Sequence, residues 1–146
     1  MKNERGQVIV FVAFALVGLI AITGLAIDGG RLYQARRQSQ NGADAAALAG
    51  ARVMASHRCN PPSDLDARVE TEVLQYAAQN SVLNDGVHGA VMAWYVRPAV
   101  GGDEDETERL TRVGSVGSVS EIMGATGIEV TTTISEPTTF MRITGQ

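Results

Sequence analysis

Residues 8–27 form an apolar run without a single charged side chain, and this run restricts the fold more than any other feature of the chain. All 12 Lys and Arg and all 16 Asp and Glu residues of the 146-residue chain lie outside it. A helix of about 20 apolar residues is long enough to cross the hydrocarbon core of a bilayer. The sequence therefore predicts a transmembrane helix over residues 8–27. The positions predicted to lie in lipid are Val8, Phe11, Phe14, Leu16, Gly18, Leu19, Ile22, Gly24 and Ile27.

Two other interpretations of this run compete with that of an uncleaved anchor. A secretory signal peptide fits the positively charged start at Met1, Lys2 and Arg5, but its apolar region usually spans only about 7–15 residues. No clear cleavage site of small residues precedes the charged boundary at Asp28. A buried helix of a soluble domain fits poorly, because the remaining sequence is too short to cover it on all sides. The anchor is the favoured interpretation.

The charges that flank the run do not decide its orientation. Lys2 and Arg5 precede it and three arginines follow it, at positions 31, 36 and 37, so the positive-inside rule gives nearly a tie. Long segments are translocated with little regard to their charge, which favours a carboxyl-terminal body outside the cytoplasm. The predicted organisation is a leader over residues 1–7, the transmembrane helix, a membrane-proximal helix over residues 28–56 and a small body over residues 57–146.

The membrane-proximal segment is rich in alanine and contains no proline before Pro61. Ala, Gln, Arg and Leu favour helices, so we expect the membrane helix to continue into water. One face of this helix carries small side chains at three- and four-residue steps. It is predicted to pack closely, either within the chain or against a partner, and consists of Ala43, Ala46, Ala47, Gly50 and Met54.

Three motifs follow one another in the first third of the chain. They are RGQ at residues 5–7, AID at 26–28 followed by Gly30-Arg31 and Tyr33, and QNGADAAALAGA at 40–51. This ordered combination resembles the amino-terminal region of the TadE/TadG-like proteins of Flp (tight adherence) pilus systems. A looser similarity lies at residues 130–140, where VTTT and EPTTF are similar to the strand pair that closes many of these modules.

The resemblance implies a single-pass protein of the bacterial inner membrane, with its amino terminus in the cytoplasm and its body outside. Its expected role is structural, in the assembly or function of an adhesive pilus. The partners it implies are other pilus assembly proteins or pilus subunits and membrane lipid, with a homo-oligomer left open. Because cleavage beside Gly6 would place Phe11 where TadE-type pseudopilins carry a glutamate, the similarity is closer to the TadG type, which keeps its leader as an anchor. The Asp-x-Ser-x-Ser metal motif of longer TadG proteins is absent from the sequence.

The sequence beyond residue 56 predicts a small α+β body. Ser63 or Asp64 is placed to begin a second helix, which is expected to end near residues 84–86. Strands are predicted over residues 87–96 and 128–134, residues 113–123 fit either a strand or a loop, and residues 140–143 fit a strand or a turn. The predicted fold class is thus α+β: one long amino-terminal helix, transmembrane and continuing outside the membrane, plus a second helix packed on a small antiparallel sheet of about three or four strands.

Few residues of this chain suggest chemistry. The acidic run at residues 103–108 lacks the spacing of a calcium-binding loop and is predicted to be solvated. His57, Cys59 and His88 lack the spacing of a zinc site, and Cys59 has no second cysteine to pair with inside the chain. Nucleophile, P-loop and dinucleotide motifs are absent from the sequence. We therefore expect no enzyme, no cofactor, no metal and, given the net charge of −4, no nucleic-acid partner.

Three functional hypotheses remain open at this point. The favoured one is a membrane-anchored structural or assembly component of a Flp pilus system that acts through protein contacts. The second is a tethered ligand-binding module, which a concave pocket around Trp94 and Tyr95 would favour. The third is a pilin-like filament subunit, which a mature amino terminus at Gln7 would indicate.

Overall fold

A computed structural model describes residues 5–99, 110–119, 122 and 124–137 of the chain. It contains two helices and three strands in the order α1 (Arg5–Ser56), α2 (Leu65–Gln79), β1 (Gly89–Pro98), β2 (Leu110–Ser115) and β3 (Gly127–Ile134). The chain divides into two units, one that holds residues up to Ala35 and one that spans Arg36–Ser135, called the folded unit below. The predicted fold class, α+β with a long apolar amino-terminal helix and a small antiparallel sheet, is confirmed.

The helix α1 is continuous from Arg5 to Ser56. Its sequence has no proline, and the Asn41-Gly42 pair lies inside the helix. Gly42 is buried against Val82, which is 1% exposed and whose methyl group occupies the space that a side chain at position 42 would fill. Here glycine serves close packing between α1 and the loop after α2.

The helix α2 begins at Leu65 and ends earlier than expected, at Gln79. Its buried residues recur at every fourth position: Leu65, Val69, Val73 and Ala77. The helix stops because Ser81 adopts a left-handed conformation, with φ of 62°, and the N–H groups of Ser81 and Val82 donate to the carbonyls of Ala78 and Ala77. This is a Schellman arrangement with serine where glycine is usual.

The sheet has the strand order β2-β1-β3, with β1 in the centre and antiparallel to both neighbours. Two strands appear where the sequence predicted them, β1 shifted by two residues and β3 by one. The ambiguous segment contains the end of β2, followed by a turn with positive φ at Gly117. The strand or turn expected at residues 140–143 lies outside the described residues.

The core of the folded unit lies between α1, α2 and the inner face of the sheet. The most deeply buried side chains, each at most 1% exposed, are Ala46, Val69, Val73, Ala77, Val82 and Tyr95. The strand β3 is also joined directly to α1: the hydroxyl of Thr132 donates to the carbonyl of Ser39 at 2.7 Å, and Ser39 Oγ donates to the carbonyl of Thr132 at 2.9 Å. This reciprocal pair fixes the level at which β3 lies along the helix.

Candidate functional site

The apolar segment, residues 8–27, is the first candidate functional feature. It is helical, and the large side chains predicted to lie in lipid are 54–74% exposed, for example Phe14 at 74% and Ile22 at 70%. The mean hydropathy of its most apolar stretch is 2.8, and none of that stretch is buried. The hydroxyl of Thr23 donates to the carbonyl of Leu19 at 2.8 Å, so the one polar side chain between residues 8 and 27 is satisfied inside the helix. By length and composition this helix can cross a membrane.

The small-residue face of α1 contacts the rest of the folded unit. Ala46 is fully buried, and Ala43, Ala47 and Met54 are partly buried. Gly50 is buried where a β-carbon would lie 2.6 Å from Ile128 Cδ1 and 2.8 Å from Val73 Cγ2. These glycine and alanine positions let α1 approach α2 and β3 more closely than larger side chains would allow.

Asp66, in the first turn of α2, organises the polar contacts of the folded unit. Its carboxylate accepts hydrogen bonds from the Tyr95 hydroxyl at 2.7 Å, from the Gly117 N–H at 2.9 Å and from the Val119 N–H at 3.1 Å. It thereby ties α2 to the central strand and to the turn after β2. Sequence reasoning missed this role, because the partners lie 29 to 53 residues away along the chain.

Trp94 and Tyr95 do not share a pocket. Because successive side chains of a strand point to opposite faces, Tyr95 enters the core and Trp94 lies on the outer face of the sheet. There the guanidinium of Arg112 stacks 3.8 Å from the centre of the indole ring. Arg112 also donates two hydrogen bonds to Glu129, of 2.8 and 2.6 Å. The geometry that would have favoured a ligand-binding module at these two aromatic residues is therefore absent from the described sheet.

The residues considered for metal binding have local partners instead. His57 Nδ1 lies 2.9 Å from Ser56 Oγ, and His88 Nδ1 lies 2.6 Å from Asp85 Oδ2. Cys59 is an exposed free cysteine. Over the described ranges there is no group of three or more His, Cys, Asp and Glu residues that could hold a metal ion. The acidic run at 103–108 lies outside the described residues.

These features define a class of protein: a small α+β unit whose first helix begins as an apolar segment able to cross a membrane. In the comparison with known families, residues 6–53 match the model of the Flp pilus-assembly TadE/G-like family (Tad), so the chain is similar to that family over this range. The predicted resemblance is confirmed over these residues, which are about a third of the chain. The looser similarity at residues 130–140 lies outside the matched range.

The matched range contains the apolar segment and all of the small-residue face except Met54. Together with the candidate membrane helix it supports a pilus-related role and membrane anchoring. The comparison with curated proteins found no match, and the comparison with solved structures found none either.

Proposed function

We propose that this chain is a single-pass, membrane-anchored structural or assembly component of a Flp pilus system that acts through protein–protein contacts. Its amino terminus lies in the cytoplasm and its folded unit lies outside. The observation that carries the proposal is the uncharged, exposed helix over residues 8–27 inside the residues that match the pilus-assembly family. Exposure of so much apolar surface is costly in water and is relieved by lipid.

The contacts of the folded unit support a structural role rather than catalysis. Its most elaborate polar group, Asp66 with Tyr95 and two backbone amides, is used to join α2 to the sheet. The Arg112–Glu129 pair and the stacked Trp94 are likewise engaged with one another on the outer face. A surface of this kind offers contact area to other pilus assembly proteins or pilus subunits, and we propose no enzymatic activity, cofactor or metal for it.

The native Cys59 provides a direct test of topology because it is exposed and is the chain's one cysteine. Intact cells whose outer membrane has been permeabilised are treated with a membrane-impermeant maleimide. Labelling of Cys59 without lysis is expected, and the Cys59→Ser variant is the control that must stay unlabelled. Labelling only after the inner membrane has been lysed would overturn the proposed orientation.

Two further measurements test the anchored state and the partners. Mass spectrometry of the mature amino terminus is expected to find the sequence preceding Gln7, whereas an end at Gln7 would favour the pilin-like subunit instead. Mild crosslinking in the native host followed by purification is expected to recover other Flp pilus components. Recovery of none of these components, from cells that assemble the pilus, would contradict an assembly role.

A further inference from the structure

A cavity of about 540 Å³ lies in the folded unit between the end of α1 and the start of α2, and is called the α1–α2 cavity below. Its floor is apolar and continuous with the core, because Met54, Ile122 and Ala125 pack against the buried cluster that includes Leu65. Ligand-binding cavities usually enclose about 300–1,000 Å³. The α1–α2 cavity is therefore large enough to hold an apolar group together with a polar one.

The walls of the α1–α2 cavity are held by backbone hydrogen bonds. The His57 N–H donates to the carbonyl of Met54 at 3.3 Å, and the Leu65 N–H donates to the carbonyl of Pro62 at 3.1 Å. Pro61 and Pro62 restrict the connecting loop further, because the proline ring fixes φ. The cavity is thus formed before anything enters it, which lowers the entropic cost of binding.

Arg58 supplies the positive charge at the rim of the cavity. It is exposed, and within the described residues its guanidinium has no ion pair and no hydrogen bond. Asp66 is the one acid among the lining residues, and its carboxylate already accepts bonds from the Tyr95 hydroxyl and from two backbone N–H groups. An entering anion therefore meets an unengaged cation, while the opposing negative charge is stabilised by three donors.

His57 lines the cavity beside Arg58 but does not donate to an anion while its ring is neutral. Its Nδ1 lies 3.0 Å from the carbonyl oxygen of Val53. Because a carbonyl oxygen can only accept, Nδ1 carries the hydrogen of the neutral ring and Nε2 is left as an acceptor. Arg58 is thus the group that binds the anion.

An apolar floor with a guanidinium at its rim fits an apolar group that is attached to a carboxylate. A guanidinium can bind a carboxylate through two parallel hydrogen bonds, which are stronger than bonds between neutral groups. The last residue of a polypeptide carries both parts close together, a side chain and the main-chain carboxylate. Pro61 and Ser63 at the mouth of the cavity are exposed, so the rest of a bound chain can continue into solvent.

We propose that the α1–α2 cavity binds the carboxyl-terminal residue of a partner polypeptide, with an apolar side chain on Met54, Leu65 and Ile122 and the carboxylate on Arg58. The inference goes beyond the proposed function, because it names the chemistry that a partner must carry. It does not depend on the membrane anchor, since every lining residue lies within the folded unit.

The test measures the binding of short peptides to the full chain in phosphatidylcholine nanodiscs by fluorescence polarisation. Each probe has an amino-terminal fluorophore, a Gly-Ser spacer and one of three ends: Val-Leu with a free carboxylate, Val-Leu with an amide, or Ser-Ser with a free carboxylate. Saturable binding of the first probe is expected, with a Kd below about 1 mM. The other two are expected to bind at least about tenfold more weakly, because one lacks the charge-assisted bonds and the other the apolar contact. Empty nanodiscs measure how much of each probe enters lipid.

Two variants assign the binding to this cavity. Arg58→Gln is expected to weaken binding of the first probe about tenfold and to leave the amide probe unchanged. Ala125→Leu fills part of the floor and is expected to weaken both. Arg52→Gln, which removes an exposed arginine that does not line the cavity, is the matched control and should bind like the native chain. Circular dichroism checks that each variant is folded.

The possible outcomes separate this inference from the proposed function. Equal binding of the carboxylate and amide probes, or unchanged binding by Arg58→Gln, would overturn the role of Arg58. Absence of saturable binding of the first probe would overturn the inference and leave the anchor and the pilus role intact, since those are tested by labelling and crosslinking. If decanoate displaced the probe at a lower concentration than the unlabelled peptide, the occupant would be a fatty acid and the inference would also be overturned.

Discussion

The hydroxyl of Tyr95 donates a 2.7 Å hydrogen bond to the carboxylate of Asp66, and the tyrosine is 1% exposed. Burial, followed by the bond to Asp66, raises the pKa of this hydroxyl well above its ordinary value. Tyr95 therefore keeps its proton throughout the physiological range and acts as a permanent donor. Since Asp66 also accepts two backbone N–H groups, this single contact links the centre of the sheet to α2 and to the turn after β2.

Removing either partner is expected to destabilise the folded unit to different degrees. Tyr95→Phe loses one hydrogen bond, worth about 1 kcal/mol, whereas Asp66→Ala also leaves two N–H groups unpaired and is expected to cost about 2–3 kcal/mol. Urea unfolding of the full chain in detergent micelles measures both. Arg68→Gln, which removes an exposed pair with Asp64, is the control and should leave the unfolding midpoint unchanged. Equal effects of all three variants would contradict a central role for Asp66.

Two glycines of α1 are expected to respond in opposite ways to alanine. At Gly50 a β-carbon would lie 2.6 Å from Ile128 Cδ1, so Gly50→Ala is expected to lower the free energy of unfolding by about 1–3 kcal/mol through overpacking. At Gly30 the space is open, so Gly30→Ala is expected to stabilise the helix by up to about 1 kcal/mol. Thermal unfolding of the two variants side by side checks the difference in sign. A stabilised Gly50→Ala variant would mean that α1 does not pack this closely.

Trp94 should report the titration of Glu129, because Arg112 touches both. The hydrogen bond from Arg112 lowers the pKa of Glu129 below that of an ordinary glutamate. The pKa of Glu129 in the unfolded chain is about 4.3, and its pKa in the folded protein is lower. The pair therefore contributes stability above the unfolded-state pKa and loses that contribution as the pH falls through the folded-state pKa.

We expect the fluorescence of Trp94, the one tryptophan of the chain, to change with a midpoint below about 4.3 as the pH is lowered. Glu129→Gln should remove this step, and Arg68→Gln should preserve it. A step that persists in Glu129→Gln would assign the change to another group. The effect on overall stability is expected to be slight, since both charged groups lie at the surface.

A single charge in the apolar segment should weaken membrane association. Leu19→Lys places an ammonium group near the middle of residues 8–27 and is expected to cost about 2.5–3.5 kcal/mol of insertion free energy. The fraction of protein that stays in the membrane pellet after carbonate extraction measures the loss. Leu48→Lys, on an exposed side chain of the folded unit, is the matched control and should not change that fraction. Equal extraction of both variants would argue against an anchor at residues 8–27.

The features predicted correctly from the sequence are those that local pattern determines. The uncharged run over residues 8–27 indicated a long apolar helix at the amino-terminal end, and residues 128–134 were correctly predicted as a strand, β3. The second helix, predicted to begin after Ser63 or Asp64, likewise appears as α2 from Leu65. In each case the pattern of apolar and polar residues within a short window of the sequence indicates the element.

The features that escaped prediction depend on contacts between distant residues. The end of α2 was expected near residues 84–86, but the helix ends earlier because Ser81 adopts a left-handed conformation, which is rare for serine. The packing of Val82 against Gly42 of α1 stabilises this conformation. No local sequence pattern around Asp66 indicates that Tyr95 is its hydrogen-bond partner. The separation of Trp94 and Tyr95 onto opposite faces, in contrast, follows from strand geometry and could have been anticipated.

The reciprocal bonds between Ser39 and Thr132 have a practical consequence for recombinant expression. A fragment that lacks the apolar segment is attractive for crystallisation. If the chain were cut at the end of α1, at Ser56, the fragment would also lose the part of α1 on which the sheet packs. Such a fragment would expose Ile128 and Val73 to solvent, and we expect it to aggregate. Truncation should instead fall upstream of Arg36, so that the folded unit keeps the residues of α1 from Arg36 to Ser56 that complete its interior.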